Sequence, residues 1–269
     1  MPTADLATRG DPEAAPAGEG GAAGQIHHAV ICAPQDQSGP WIHAALRRRG
    51  FPGLRLVTTE EIVYSTKLTH RLASGRVTTE VTLADGGVLG PHLRGVVNRV
   101  VAVPVAHLAR TAEADRDYAT SEIYALLTSI LAGLPGVVLN PGGPRGLPGP
   151  WLRPAEWMAL AGRVGLPGIG FRTTQPESQP PWPSHSVLVA GERVVQVGAL
   201  GARSTLPTYV EAGCRALSRQ VRAPLLGIDF VAAGDDWLFA GANPTPDLRA
   251  AGDEGADAVA ALLAGGRSG

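Results

Sequence analysis

Most of the residues that commonly carry chemistry are scarce in this chain. Only two of its 269 residues are cysteine, Cys32 and Cys214. At that spacing they supply neither a metal-binding motif nor a disulfide framework. Cys32 lies inside the apolar run AVICAP, the setting of a buried structural thiol. The seven histidines are scattered, and none shares a helix face with another at metal-ligand spacing. No Gly-x-Ser-x-Gly elbow is present to seat a serine nucleophile. Charged residues make up 17% of the chain and the net charge is −1, which excludes the basic footprint of a nucleic-acid binder. No apolar run reaches the roughly 18 residues of a membrane span. The N-terminus lacks the basic-then-apolar order of a secretory signal. These absences predict a cytoplasmic protein with no nucleic-acid and no membrane partner.

Glycine and proline are plentiful, with 35 and 23 residues, and predict many turns and long irregular connections. Residues 1–24 contain almost no large apolar side chains and read as a disordered tail. Order is expected from QIHHAVICAP, a short strand. A helix follows over QDQSGPWIHAALRRRG, with Trp41, Ile42, Ala45 and Leu46 at helical spacing, and then a strand over LRLVTTEEIV. This β-α-β opening predicts a doubly wound α/β lobe. Residues 68–90 read as two strands, the second ending in the turn ADGG. GVVNRVVAVP reads as a buried parallel strand interrupted by Asn98 and Arg99, a polar pair that needs a partner. The long helix DRDYATSEIYALLTSILAGLPG supplies Glu122 as that expected partner, and its apolar face is read as Tyr118, Ile123, Leu126, Leu127, Ile130 and Leu131. Arg99 and Glu122 are therefore cleft candidates, since a polar end to a buried strand commonly faces the crevice of an α/β lobe.

The second half reads as a strand (VVLNP), a Gly/Pro loop, the helix RPAEWMALAGRVGLPG, the hairpin SVLVAGERVVQVGAL, the helix TYVEAGCRALSRQV, a final hairpin over 225–243 and a closing helix. The loop GGPRGLPG is no phosphate cradle: its prolines remove amide donors and no Lys-Ser/Thr follows. Trp182, in PPWP, is a candidate for contact with a partner. Asp235 and Asp236 read as turn residues.

In this order the elements resemble the ATP-grasp carboxylate–amine ligases, in the branch that ligates glutamate or modifies peptides. VVNRV, the helix with Tyr118 and Glu122, VVLNP, AEWMALAGRVGLP and GIDF…NP carry the resemblance, which covers residues 26–265. It implies an α/β fold: an N-terminal α/β lobe over 25–150 and a shortened ATP-grasp-like α+β lobe over 151–269. It also implies ATP and Mg²⁺ as cofactors, a carboxylate activated as its acyl phosphate, and an amine, small molecule or peptide, that attacks it. The family places an Asp in the penultimate strand and Glu-x-Asn-Pro at the end of the last. Here Asp229 and the pair Asn243–Pro244 match, so Asp229 and Asn243 are the implied metal ligands.

Two departures stand out. Gly241 occupies the glutamate position, which leaves one carboxylate where hydrated magnesium needs several hard oxygens. The family's phosphate-binding lysines are also missing. The only lysine, Lys67, lies in the N-terminal lobe, so Arg153, Arg193 and Arg203 are the cations left to bind nucleotide phosphates. Two readings follow: a degenerate member that acts as a binding or accessory subunit, with a protein or peptide partner and no cofactor, or an active ligase in which these arginines replace the lysines.

Overall fold

The computed structural model describes residues 25–169, 185–197, 206–234 and 236–265. The expected tail over 1–24, Trp182 and Arg203 lie outside the described residues.

The chain opens with β1 (His28–Cys32), whose five residues are all buried, and turns into α1 (Ser38–Arg48). β2 (Leu54–Thr58) is shorter than the sequence predicts, because Thr58 caps a helical turn, α2 (Thr59–Val63). The Thr58 hydroxyl accepts the Glu61 amide and Glu61 in turn accepts the Thr58 amide, a reciprocal cap that stops the strand. β3 (Lys67–Ala73), β4 (Arg76–Thr82) and β5 (Val88–Leu89) form a separate antiparallel sheet in that order. β6 (Gly95–Arg99) returns beside β1, α3 (Glu113–Gly133) crosses over, and β7 (Val137–Leu139) completes a parallel sheet of order β2-β1-β6-β7.

The second part begins with α4 (Pro154–Arg163), which has proline in its first turn where no amide donor is lost. The hairpin of β8 (His185–Ala190) and β9 (Arg193–Val197) follows, then α5 (Thr208–Val221). β10 (Leu225–Ala233) and β11 (Asp236–Asn243) form the last hairpin, and α6 (Gly252–Gly265) closes the described chain. This second sheet is antiparallel, in the order β11-β10-β8-β9.

Strand alternation gives this sheet two different faces. On one, Val187, Ile228, Phe230 and Phe239 pack with Trp157 of α4 and Val210 and Leu217 of α5. On the other, Leu188, Val195 and Leu225 join Val259 and Leu263 of α6 and Val30, Leu46 and Val97 of the first lobe in one buried cluster. The two lobes therefore share a core.

Polar contacts lock that core together. Asn140, fully buried just after β7, holds a left-handed backbone (φ 59°). Its amide nitrogen donates to the carbonyls of Leu225 (2.6 Å) and Pro244 (2.7 Å), and its oxygen accepts the Leu225 amide at 3.1 Å. Asn98 in turn donates to the Asn140 and Leu147 carbonyls, both at 2.7 Å. Asparagine is one of the few residues that tolerates this conformation. Replacing Asn140 with alanine would strain the backbone and leave three buried peptide groups unpaired. We expect Asn140→Ala to lose at least about 3 kcal/mol of stability in urea unfolding, and Asn140→Gly, which relieves only the strain, to recover a minor part of it.

Candidate functional site

The corner expected to bind metal lies on the α6-side face of the second sheet, beyond the stretch that α6 covers. Asp229 sits mid-strand in β10, opposite Gly241 on β11 and Ser186 on β8, and Asn243 pairs with Gly227 one step along that face. Asp229, Gly241 and Asn243 therefore share a face. Asn243 is the last residue of β11.

Each group has a definite role. The Ser186 hydroxyl donates to Asp229 at 2.5 Å. The Asn243 side-chain oxygen accepts the Thr245 amide (2.8 Å) and the Thr245 hydroxyl (3.0 Å), an Asx turn that shapes the Asn-Pro-Thr corner. The oxygen that would face a cation thus already serves two donors. A Cβ at Gly241 would meet nothing within 4 Å, so the glutamate of the family pattern has room but is not there. Among the described residues no group of three or more His, Cys, Asp or Glu could hold a metal ion.

The two arginine candidates among the described residues, Arg193 and Arg153, do not converge on this corner. Arg193 pairs with Ala190, which pairs in turn with Leu225, four residues along the strands from the Val197–Ser186–Asp229 line. At the usual rise per residue that is roughly 13 Å. Arg153 precedes α4, which packs on the opposite face of the sheet, and its amide donates to the Glu156 carboxylate. Among the described residues, one carboxylate, an engaged amide and distant cations do not fit a magnesium–nucleotide site, where hard oxygens must surround the ion and positive groups must meet the phosphates.

Arg99 does reach the crevice at the carboxyl ends of β1 and β6, with a partner other than the expected one. Glu122 is exposed on α3, whereas the Arg99 guanidinium grips Asp36 in the β1–α1 turn through Nε (2.6 Å) and Nη2 (3.2 Å) and donates through Nη1 to the Pro246 carbonyl (2.9 Å). Parallel pairing of β1 with β6 aligns Cys32 with Arg99, so a carboxylate just beyond Cys32 is within reach of it, while Glu122 is a full crossover away. The α3 face also differs from the expected one: Leu127, Ile130 and Leu131 are buried, but Tyr118 and Leu126 are exposed.

A second carboxylate joins the same seam. Asp247 accepts the Ser38 hydroxyl (2.8 Å) and is held by Arg249 through Nε (2.9 Å) and Nη2 (2.8 Å). Ser38 in turn accepts the Leu248 amide. The crevice between these residues, lined by Gln35, Asp36, Arg99 and Thr245, measures about 200 Å³, below the roughly 300–1,000 Å³ of typical small-molecule sites. Burial pushes the Cys32 thiol up to about 11 and the Cys214 thiol to about 12, so neither is poised as a thiolate nucleophile.

Neither a protein-family model nor a curated protein matches the sequence. Solved structures match the fold. The macrocyclase MdnC of Microcystis aeruginosa, solved with its precursor peptide MdnA, superposes with a TM-score of 0.65 at 14% identity, covering 88% of this chain and 99% of MdnC. The ATP-grasp ligase PsnB, solved with a minimal precursor, gives 0.62 at 15% identity over 90% of this chain and 99% of its own. An ATP-grasp ligase from Chryseobacterium gregarium, solved with ADP and a leader and core peptide, gives 0.60 at 11%, over 89% and 97%. The fold is ATP-grasp. Within it, the parallel sheet carries the crevice at the ends of β1 and β6, and the second sheet carries the Asp229 corner.

Two outcomes test this geometry. Asp36→Ala would leave the Arg99 cation, 6% exposed, without a carboxylate; we expect a loss of about 3–5 kcal/mol in chemical denaturation, reduced in the Asp36→Ala/Arg99→Met double variant. The Arg249 guanidinium, followed by the Ser38 hydroxyl, holds the Asp247 carboxyl below its ordinary value of 3.8. A lowered folded-state value stabilises above the unfolded-state pKa, and that contribution is lost progressively as pH falls below 3.8 toward the lower folded-state value. The Asp247 side chain is 48% exposed, so screening keeps its contribution under about 1 kcal/mol. Melting curves between neutral pH and pH 2–3 should show a shallower acid limb for Asp247→Asn than for the wild type.

Proposed function

We propose that this protein is a binding or accessory member of a peptide-modifying ATP-grasp system, one that has kept the two-lobed cleft and given up magnesium–nucleotide chemistry. The observation that carries this reading is the Asp229 corner: a lone carboxylate faces Gly241, and the neighbouring Asn243 oxygen is spent on its own turn. The missing lysines point the same way. Support for a peptide as partner comes from the fold neighbours, since MdnC and PsnB were solved with precursors and the Chryseobacterium ligase with a leader and core peptide. PsnB has also been solved with Mg and ADP, which marks what the corner would need to hold if this chain were an active ligase. A cytoplasmic setting belongs to the same proposal. No helix among the described residues is long and apolar enough to cross a membrane.

The test is titration calorimetry of the purified chain with ATP and Mg²⁺. We expect no metal-dependent binding. Micromolar affinity, about −8 kcal/mol, would overturn the reading in favour of an active ligase whose phosphates are held by arginines. Gly241→Glu restores the second carboxylate in open space and should raise Mg²⁺ affinity at least about tenfold, or about 1.4 kcal/mol, in the same instrument.

A further inference from the structure

A second cavity lies at the amino end of the parallel sheet, away from the crevice at its carboxyl end. It measures about 290 Å³ and has apolar walls: Phe51 and Pro52, from the connection between α1 and β2, and Leu263 of α6. That volume reaches the lower bound of typical small-molecule sites, roughly 300 Å³. His28, the first residue of β1 and 6% exposed, also lines it. The His28 ring meets Phe51 edge-on at 5.0 Å, and its Nδ1 lies 3.1 Å from the Pro52 carbonyl. A carbonyl only accepts, so Nδ1 carries the hydrogen and Nε2 of the neutral ring offers a lone pair. Among the described residues Nε2 has no hydrogen-bond partner, and it is not sealed in the core. The charges here are unevenly balanced. Arg49 is fully engaged: Nε donates to Asp257 (2.7 Å), Nη1 to the Ala45 carbonyl (3.0 Å) and Nη2 to Asp253. Those bonds tie the end of α1 to α6 and so hold two walls of the cavity in place. Arg94, exposed at its edge, has no ion pair or side-chain hydrogen bond among the described residues, and no carboxylate lines the space.

We propose that this cavity binds a small hydroxylated monocarboxylic acid with an apolar body. Each part of that description answers a group on the wall. One unbalanced guanidinium calls for one negative charge, and a carboxylate meets its planar fork with two parallel hydrogen bonds. Phe51, Pro52 and Leu263 call for a ring or a branched aliphatic chain between the polar ends, which an inorganic anion lacks. The His28 Nε2 lone pair calls for a donor, and a hydroxyl supplies it without the positive charge of an ammonium, which Arg94 would repel. The walls are fixed beforehand by the Arg49 bonds and by the Pro52 hold on His28, so little ordering cost falls on the ligand. Such a ligand would touch β1, the α1–β2 connection and α6 together. The site is independent of the Asp229 corner and of nucleotide, because it lies at the opposite end of the parallel sheet and shares no residue with that corner.

The test is a protein-observed NMR titration of the full chain at neutral pH, without ATP or Mg²⁺. The probes are 4-hydroxybenzoate, 4-hydroxyphenylacetate and 2-hydroxyisocaproate. At least one should saturate with a Kd at or below about 1 mM. For that probe, the analogue with an alcohol in place of the carboxylate, and the analogue without the hydroxyl, should each bind more weakly. Arg94→Ala and, separately, Ala264→Trp change exposed residues at the cavity, so circular dichroism should match the wild type. The first removes the charge and the second fills the space, and each should weaken binding at least about tenfold. His28→Asn keeps a donor for the Pro52 carbonyl but deletes Nε2; it should weaken the hydroxylated acid and leave its unhydroxylated analogue unchanged. Failure of all three probes to saturate, equal binding of the neutral alcohol, or binding indifferent to both Arg94→Ala and Ala264→Trp would each overturn the proposal.

Discussion

Asn140 has to serve two strand ends at once, and no other side chain of its size could do so. It ends β7 in a left-handed turn while its amide closes hydrogen bonds on the start of β10 and on the residue after β11. Each of those peptide groups is buried, and each would otherwise carry a desolvation cost of roughly 1–3 kcal/mol. Asn98 extends the same logic one strand over, by satisfying the Asn140 carbonyl and the Leu147 carbonyl of the Gly/Pro loop. Apolar burial brings the lobes together without fixing how one sheet meets the other. These directional contacts fix it.

From this pin the rest of the seam follows in chain order. Once Pro244 is held by Asn140, the next residues run along the carboxyl ends of the parallel sheet. Pro246 meets Arg99, Asp247 meets Ser38, and the Leu248 amide returns to the same hydroxyl. Leu248 then delivers the chain to α6, which packs on both lobes. The corner after β11 is thus an inter-lobe clasp, and the Asx turn of Asn243 is what bends the chain into it.

Much of this architecture was legible in the sequence, for local reasons. Apolar periodicity located the strands and helices, and the order of elements indicated an ATP-grasp fold. What escaped was set by distance. Asp36 and Arg99 are 63 positions apart, and only parallel register brings them together. Arg99 looked closest to Glu122, which leaves the sheet on a helix instead. The left-handed turn at Asn140 did leave a trace, since an asparagine before proline at the end of a strand is a turn signal, but nothing local indicated that its amide would reach 85 and 104 residues ahead. Tyr118 and Leu126 were placed with the core by helical spacing alone; periodicity cannot tell a face that packs within the chain from one left open.

The residues kept at the Asp229 corner are those that also serve the fold. Asn243 shapes the clasp, Pro244 offers a buried carbonyl to Asn140, and Asp229 holds Ser186 across the β8–β10 pair. The glutamate of the family pattern, at position 241, would serve no such purpose: its place is open space. On the proposed reading no cation binds there, and a second carboxylate beside Asp229 would only add like-charge repulsion, which glycine avoids. On the proposed reading, a cleft freed from nucleotide chemistry sheds first the charges that only a metal could reconcile, and keeps those that hold its two sheets in register.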